Sequence, residues 1–145
     1  MDITASSSAE VIKDPAGTVR IWHPAPGIMA TQCEGKLADR AAAQFEMIAR
    51  RIAGDHGTVT GYHDWEAMTD YESEARVRLT SLIRGMGRQF GGANFLVKSR
   101  IVALGVQAAS ILVTGLVVFS ERSAFERALQ SAVRDRVNGA SRRNP

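Results

Sequence analysis

The sequence predicts an α/β domain whose mostly parallel sheet of four to five strands begins with a hairpin and is covered by about four helices. Strand-like and helix-like segments alternate along most of the 145 residues. That alternation is typical of parallel strands joined by right-handed crossovers. The composition, 45% hydrophobic and 23% charged, is that of an ordinary folded domain. The length suits a single domain with one continuous core.

The first two strands form the predicted hairpin. Residues 1–17 are rich in Ser, Ala and Asp without a lasting period, so we expect a flexible N-terminal arm. Thr18–His23 alternates apolar and polar residues, which favours a strand. Ile28–Gly35 is a second strand, and the Pro- and Gly-containing turn between the two segments joins them directly. The folded domain is therefore expected to start at residue 18.

Two long helices flank the next strand. Leu37–Ala53 carries apolar residues every three or four positions, as an amphipathic helix does. Thr58–His63 is predicted as a buried strand, and residues 64–70 as a short loop. Thr69 and Glu72 have the spacing of a capping box, which predicts that the second long helix begins there.

The C-terminal part continues the alternation. Ala93–Lys98 is predicted as a strand, and Ser99 as the N-cap of a helix that ends before Gly115. Leu116–Phe119 is rich in apolar and β-branched residues, which favours a short strand.

The last predicted helix ends near Val137. Ser123 and Glu126 have capping-box spacing at its start, and an apolar stripe follows. Residues 138–145 are polar, and we expect a flexible tail there. The folded domain is thus predicted to span residues 18–137.

One uncharged segment competes with this interpretation. Ile101–Phe119 runs for 19 residues without a charge, which is long enough for a membrane-spanning helix. Gly115 divides the segment into a helix and a β-branched strand, and Gln107, Ser110 and Thr114 lie inside it. We therefore expect two packed elements and no membrane span.

The charges are distributed unevenly along the chain. Residues 1–74 carry six basic and twelve acidic side chains, whereas residues 75–145 carry twelve basic and three acidic ones. This asymmetry fits two charge sets that interleave in the folded domain, or a basic face that meets an acidic partner. The arginines lie along helical faces without aromatic-studded basic strands, so we expect no nucleic acid partner.

Cysteine and histidine usage excludes several kinds of site. A single cysteine, Cys33, rules out an internal disulfide framework, and the N-terminus lacks a secretory signal. Both features lead us to expect a cytoplasmic protein. His23, His56 and His63 lie on three predicted elements without zinc-site spacing, and the glycine motifs of nucleotide sites are missing from the sequence. We expect no metal and no cofactor.

The densest polar cluster lies between a strand and a helix. It comprises His63–Glu66 with Asp70, Glu72 and Glu74. Acidic residues here suit the dipole of the following helix, and they are also the ligand type of Mg²⁺ or Ca²⁺. His63 beside Asp64 suggests a base and its orienting group. Because neighbouring residues on a strand point to opposite faces, this pair is poorly placed, and we expect no enzyme.

Three stretches resemble the STAS domain of sulphate-transporter tails and bacterial anti-sigma factor antagonists. Ile28–Asp39 (IMATQCEGKLAD) resembles the strand that runs into the first helix of that family. Val59–Ala75 (VTGYHDWEAMTDYESEA) resembles its regulatory strand, loop and helix start. Asn94–Val106 (NFLVKSRIVALGV) resembles the next strand and helix. The order of elements is also similar, over about residues 18–137.

The resemblance implies a bacterial signalling domain that works by protein–protein contact. In that family a Ser or Thr at the helix start is phosphorylated by a partner kinase, and Ser73 occupies that position. Glu72, Glu74 and Ala75 depart from the family pattern of Asp, Ser and Gly, and the two acidic residues would repel an added phosphate. The partner implied by the resemblance is a kinase or an anti-sigma factor.

We expect this partner to contact the loop–helix junction Asp64–Ser73 and the helix that follows. An aromatic residue in such a loop is a typical interface anchor, and a stripe of arginines suits an acidic partner. The candidate contact residues are Asp64, Trp65, Glu66, Asp70, Arg76, Arg84 and Arg88.

Other functions stay open on the sequence alone. A helix N-terminus binds anions and small phosphorylated ligands, so a ligand-binding domain is the main alternative. A membrane-anchored protein with a span at residues 101–119 is a third hypothesis. Homodimerisation through a sheet edge or an apolar helix face is compatible with each of them.

Overall fold

The computed structural model describes residues 9–143, which form one sheet with helices on both of its faces. The strands are β1 (Glu10–Asp14), β2 (Gly17–Ala25), β3 (Ile28–Leu37), β4 (Val59–Trp65), β5 (Met68–Tyr71), β6 (Phe90–Val97) and β7 (Leu116–Phe119). The helices are α1 (Asp39–His56), α2 (Ser73–Met86), α3 (Arg100–Leu112) and α4 (Arg122–Arg143), with a single 3₁₀ turn at Gly87–Gln89.

The sheet follows the order β1-β2-β3-β4-β6-β7, and β5 pairs with the end of β3, beyond the stretch that pairs with β4. The pairings β1–β2 and β2–β3 are antiparallel, whereas the remaining pairings are parallel. The predicted α/β class, the opening hairpin and the mostly parallel sheet are confirmed. Within the described residues the sheet has seven strands, against the four to five that we predicted.

The two additional strands are short and carry weak sequence signals. β1 lies within the stretch predicted as a flexible arm, and Ile12 is its one core residue. β5 lies partly in the predicted loop, and Met68 is its one fully buried side chain. Both strands form because a neighbouring strand offers free hydrogen-bonding groups. Residues 1–8 of the predicted arm lie outside the described residues, and α4 extends through most of the predicted tail.

The predicted capping boxes do not form. Thr69 lies inside β5, and Glu72 is the N-cap residue of α2 without a side-chain capping bond. The Glu72 carboxylate instead accepts a hydrogen bond from the backbone N–H of Asp39, at 2.9 Å, and so stabilises the start of α1. Ser123 lies inside α4, which begins one residue earlier. In both cases a tertiary contact overrides the local pattern.

The uncharged segment divides as expected. Ser99 is the N-cap of α3 and accepts from Val102 N, and α3 ends at Leu112. Gly115 then adopts a φ of +87°, which favours glycine, and turns the chain into β7. No helix among residues 9–143 is long and apolar enough to cross a membrane.

The sheet separates two hydrophobic clusters. α1, α2 and α3 cover one face and build the larger cluster, whereas α4 packs on the other face through Phe125, Leu129 and Val133. Alternation along β4 assigns its residues to the two sides, with Trp65 in the larger cluster and Tyr62 in the smaller one.

Candidate functional site

An apolar cavity of about 90 Å³ lies between the sheet and helices α1, α2 and α3. The central strands β3, β4 and β6 form its floor, and the three helices form its walls. Its lining is mostly aliphatic and aromatic, with contributions that include Met29, Phe45, Leu79, Ile83, Phe95 and Val106. The cavity is partly open to the outside. Concave, mostly apolar sites of this kind are typical of small-molecule binding.

One imidazole lies in the floor of the cavity. The register of the sheet places His63 beside Thr31 of β3 and Phe95 of β6. His63 Nδ1 lies 2.8 Å from Thr31 Oγ1, and the same hydroxyl oxygen accepts a hydrogen bond from Trp65 Nε1 at 3.1 Å. Three residues on two parallel strands thus form one buried polar network.

Burial controls the charge of this imidazole. His63 is 2% exposed, and its ring lies between 4.9 and 5.3 Å from the rings of Phe45, Trp65 and Phe95. Desolvation by these apolar neighbours lowers the pKa of His63 to about 3. The ring is therefore neutral at physiological pH, and a catalytic role as a proton acceptor near pH 7 is poorly supported.

Two further polar side chains contribute to the lining. Tyr71 and Arg76 line the cavity and are half-buried. The Tyr71 ring packs directly on Gly105 of α3, where a Cβ would lie 2.7 Å from the tyrosine hydroxyl. A side chain at position 105 would push α3 away from Tyr71, so the glycine permits the close approach of α3 to this ring.

The predicted contact loop is tied to the rest of the domain. Asp64 accepts a hydrogen bond from Arg122 Nη2 at 3.0 Å, and Glu66 lies 3.3 Å from the same nitrogen. Arg122 also pairs with Glu126 within α4. These contacts raise the pKa of Arg122 above its ordinary value, mainly through the hydrogen bond to Asp64. The two acidic residues therefore anchor the start of α4 to the end of β4.

Trp65, which we predicted as a partner contact, is buried inside the domain. Trp65 is 6% exposed, and its indole packs against Phe95 and hydrogen-bonds Thr31. Alternation along β4 turns the side chain inward, because the strand continues through position 65 where a loop was predicted. The residue closes one end of the cavity instead.

The remaining predicted contact residues are dispersed. Ser73, the first residue of α2, is exposed, as are Arg84 and Arg88 near the other end of that helix. Asp70 lies on β5, where its carboxylate accepts from the backbone N–H of Tyr71 at 2.8 Å. Arg76 belongs to the cavity wall and not to an exposed stripe with the other two arginines.

Arg78 joins α2 to α1. Its guanidinium pairs with Asp39 at 2.8 Å and with Glu46 at 3.2 Å. These contacts hold the pKa of the Asp39 carboxyl below its usual range.

Sequence reasoning singled out His63 but missed its role. We considered it with Asp64 as a catalytic pair, whereas its partners are Thr31 and Trp65. The available signal was the alternating series Gly61, His63 and Trp65, which places a glycine beside a histidine on one face of a buried strand. A cavity lined by residues of eight different elements leaves no comparable pattern in the sequence.

The comparisons with known proteins support the fold. No family model and no curated protein matches the chain. Among solved structures, it is similar to an uncharacterized protein of the DUF3478 family with a SpoIIAA-like fold, from Shewanella loihica PV-4. The TM-score is 0.56 at 12% sequence identity, with 84% of this chain and 92% of that chain covered.

An identity this low shows the fold alone. The predicted resemblance is confirmed at the level of the fold: the protein has a SpoIIAA-like fold, which is the fold of STAS domains.

Proposed function

We propose that this protein is a non-enzymatic regulatory domain that binds a small apolar molecule beneath α2 and α3. The cavity between the sheet and these helices carries the proposal. An apolar cavity of about 150 Å³ is large enough to admit benzene. A cavity of about 90 Å³ that is partly open therefore suits a group of several heavy atoms.

The ligand would act on the helices that wall the cavity. α2 contributes Leu79, Ile83 and Met86 to the lining, and α3 contributes Val102 and Val106. A molecule that contacts both helices stabilises the arrangement in which they close over it. Occupancy of the cavity would thus be transmitted to the outer surfaces of the same two helices.

Those outer surfaces suit a protein partner. α3 exposes a row of large apolar side chains at Ile101, Leu104, Ile111 and Leu112. The basic side chains of Arg84, on the adjacent α2, and of Arg88, in the 3₁₀ turn that follows it, are exposed. Apolar groups beside basic ones are typical of a surface that binds an acidic protein. We propose a kinase or anti-sigma factor as this partner, following the family resemblance, in the bacterial cytoplasm.

Ligand binding is tested by titrating toluene into the protein. We expect a higher midpoint of thermal unfolding, because a ligand that binds only the native state stabilises it. Amide chemical shifts should change at the cavity-lining residues of β4, α2 and α3. A toluene-saturated sample with neither change would contradict the proposal.

A matched pair of variants locates the binding site. Ala109 lines the cavity on α3, whereas its neighbour Ala108 is exposed on the same helix. Ala109→Phe should fill the opening and weaken toluene binding at least tenfold, and Ala108→Phe should leave the affinity within twofold of wild type. Equal affinities for the two variants would show that toluene binds elsewhere.

A phosphorylation switch at Ser73 is the second candidate. Ser73 is exposed at the start of α2, and the Arg76 side chain three residues later makes no hydrogen bond or ion pair within the described part of the chain. A phosphate at position 73 would lie within reach of that guanidinium. Glu72 and Glu74 oppose it through like charge.

Site-specific phosphoserine incorporation tests the switch. Phosphoserine at position 73 should change which proteins the domain captures, whereas phosphoserine at the exposed Ser81 of the same helix should not. Identical sets of captured proteins for the two modified domains would contradict regulation at Ser73.

A further inference from the structure

We propose that the cavity selects a molecule with an uncharged hydrogen-bond acceptor, such as a ketone or ester carbonyl oxygen. This oxygen accepts a hydrogen bond from the Nε2–H of His63. This inference rests on the proposed function, because it specifies which polar group the apolar ligand must carry. It follows from the hydrogen bonds around the imidazole and from the position of its second nitrogen.

The network assigns the tautomer of His63. Trp65 Nε1 is only a donor, so Thr31 Oγ1 must accept the hydrogen bond between them. The hydroxyl has one proton to donate, and His63 Nδ1, at 2.8 Å, is the acceptor within its reach. If the hydroxyl accepted from a protonated Nδ1 as well, its own proton would have no acceptor among the described residues, so we assign Nδ1 as unprotonated. A neutral imidazole with an unprotonated Nδ1 carries its proton on Nε2.

The environment of the ring keeps it neutral. The side chains packed around His63 are Thr31, Phe45, Trp65 and Phe95, none of which is charged. A buried imidazolium without an anionic partner would lose its hydration without compensation. His63 therefore presents one N–H donor and no positive charge.

This donor borders the cavity. His63 Nε2 has no hydrogen-bond partner among residues 9–143, since the contacts of the side chain are the Nδ1 bond and the ring contacts. No fully enclosed side-chain nitrogen or oxygen in that range lacks a partner. Nε2 is thus not sealed within packed atoms, and both His63 and Gly61 line the cavity.

Gly61 keeps the space in front of the nitrogen open. It lies two positions before His63 on the same face of β4, and a Cβ at this position would overlap His63 Nε2. The glycine therefore leaves room for the Nε2 edge of the imidazole at the cavity lining. Any other residue would displace the imidazole or cover the donor.

The chemistry of the lining favours a neutral acceptor. The other buried polar groups in the lining are occupied, since Trp65 donates to Thr31 and Thr80 Oγ1 donates to Arg76 O. A ligand without an acceptor would leave the N–H unpaired in an apolar site, which is unfavourable. A carboxylate bound beside His63 would lose its hydration and gain a single hydrogen bond, which does not offset the cost of burying its charge. Arg76 is the one cationic residue in the lining. Because a cation attracts carboxylates, the test includes a carboxylic acid.

Two ligands of the same shape test the inference. Cyclohexanone carries a carbonyl oxygen where methylenecyclohexane carries a methylene group, and the two molecules are otherwise the same. Their dissociation constants are measured for the wild-type protein and for His63→Phe, which keeps an aromatic ring but has no donor. In the variant, the dissociation constant of the ketone divided by that of methylenecyclohexane should be roughly tenfold larger than in the wild type. A factor of this size corresponds to the loss of one buried hydrogen bond. Cyclohexanecarboxylate should bind the wild type more weakly than the ketone does.

A measurement on the wild-type protein does not depend on how the variant folds. Imidazole ¹⁵N spectra should show His63 with Nε2 protonated and Nδ1 unprotonated, and added cyclohexanone should shift the Nε2 resonance. In Thr31→Val the donor to Nδ1 is removed, and the preference for the ketone should fall although the imidazole remains.

The outcomes separate the two proposals. If neither cyclohexane derivative binds, the proposed function fails and this inference fails with it. If both bind and their ratio is the same in wild type and His63→Phe, the cavity is a ligand site but His63 does not select the ligand. Protonation on Nδ1, or tighter binding of the carboxylate, would also overturn the inference.

Discussion

At the level of single residues, His63 is a titratable group in an apolar interior. In the unfolded chain its pKa is about 6.5, whereas in the folded protein burial lowers it to about 3. Between these two values the unfolded chain binds more protons than the folded one. The free energy of unfolding should therefore fall as the pH decreases from about 6.5 towards 3.

The predicted decrease in the free energy of unfolding is measurable by urea denaturation. Between pH 7.5 and pH 5, His63 should lower the free energy of unfolding by about 2 kcal/mol, with no loss from this residue above pH 7. Burial also lowers the pKa of His23, which acts on stability in the same direction, so the comparison must be made with His63→Phe. If the variant loses as much stability as the wild type over this interval, the imidazole is not buried as described.

At the level of secondary-structure elements, the break between α3 and β7 depends on Gly115. Its φ of +87° strains any other residue, and a Cβ would lie 3.2 Å from Phe90 Cε2. Its carbonyl accepts from Ala93 N at 2.9 Å, so the turn is also joined to β6. The conformation of one residue thus separates the two elements of the uncharged segment.

Gly115→Ala should lower the free energy of unfolding by about 1–2 kcal/mol, because alanine in a left-handed conformation is strained. Gly54→Ala is the matched control. Gly54 lies in α1 with open space where the Cβ would be, so alanine there should raise stability by about 0.5–1 kcal/mol. Chemical denaturation of both variants gives the comparison, and effects of the same sign would contradict the assignment of strain to position 115.

At the level of the whole molecule, stability should be unequal across the two layers. β3, β4 and β6 are central strands that are paired on both sides, whereas α3 leaves much of one face exposed. Regions with fewer buried contacts open locally at lower free energy. The helices over the cavity therefore form the part of the domain that can move.

Native-state hydrogen exchange measures this difference. Amides of β3, β4 and β6 should exchange slowest, and those of α3 at least tenfold faster. Toluene should slow exchange in α2 and α3 while leaving α4, on the opposite face, unchanged. Uniform protection across the helices, or equal slowing in α4, would contradict a cavity closed by mobile helices.

The sequence by itself determined the class and order of most elements. Apolar periodicity together with capping and glycine signals located the four helices, and the alternation of helices and strands indicated parallel pairing with an opening hairpin. Gly115 and Ser99 marked real boundaries, because glycine conformation and N-capping act within a few residues. These boundaries depend only on neighbouring residues, so the sequence contains the information needed to predict them.

Only the tertiary structure revealed the two strands with weak sequence signals and the cavity with its buried polar network. β1 and β5 exist because neighbouring strands offer unpaired backbone groups, and Glu72 stabilises α1 rather than its own helix because Asp39 lies beside it. Trp65 turned inward once β4 extended through it, and His63 found partners 32 residues away. Hydrogen bonds and burial depend on distance in space, and the sequence does not carry the positions of residues that folding brings together.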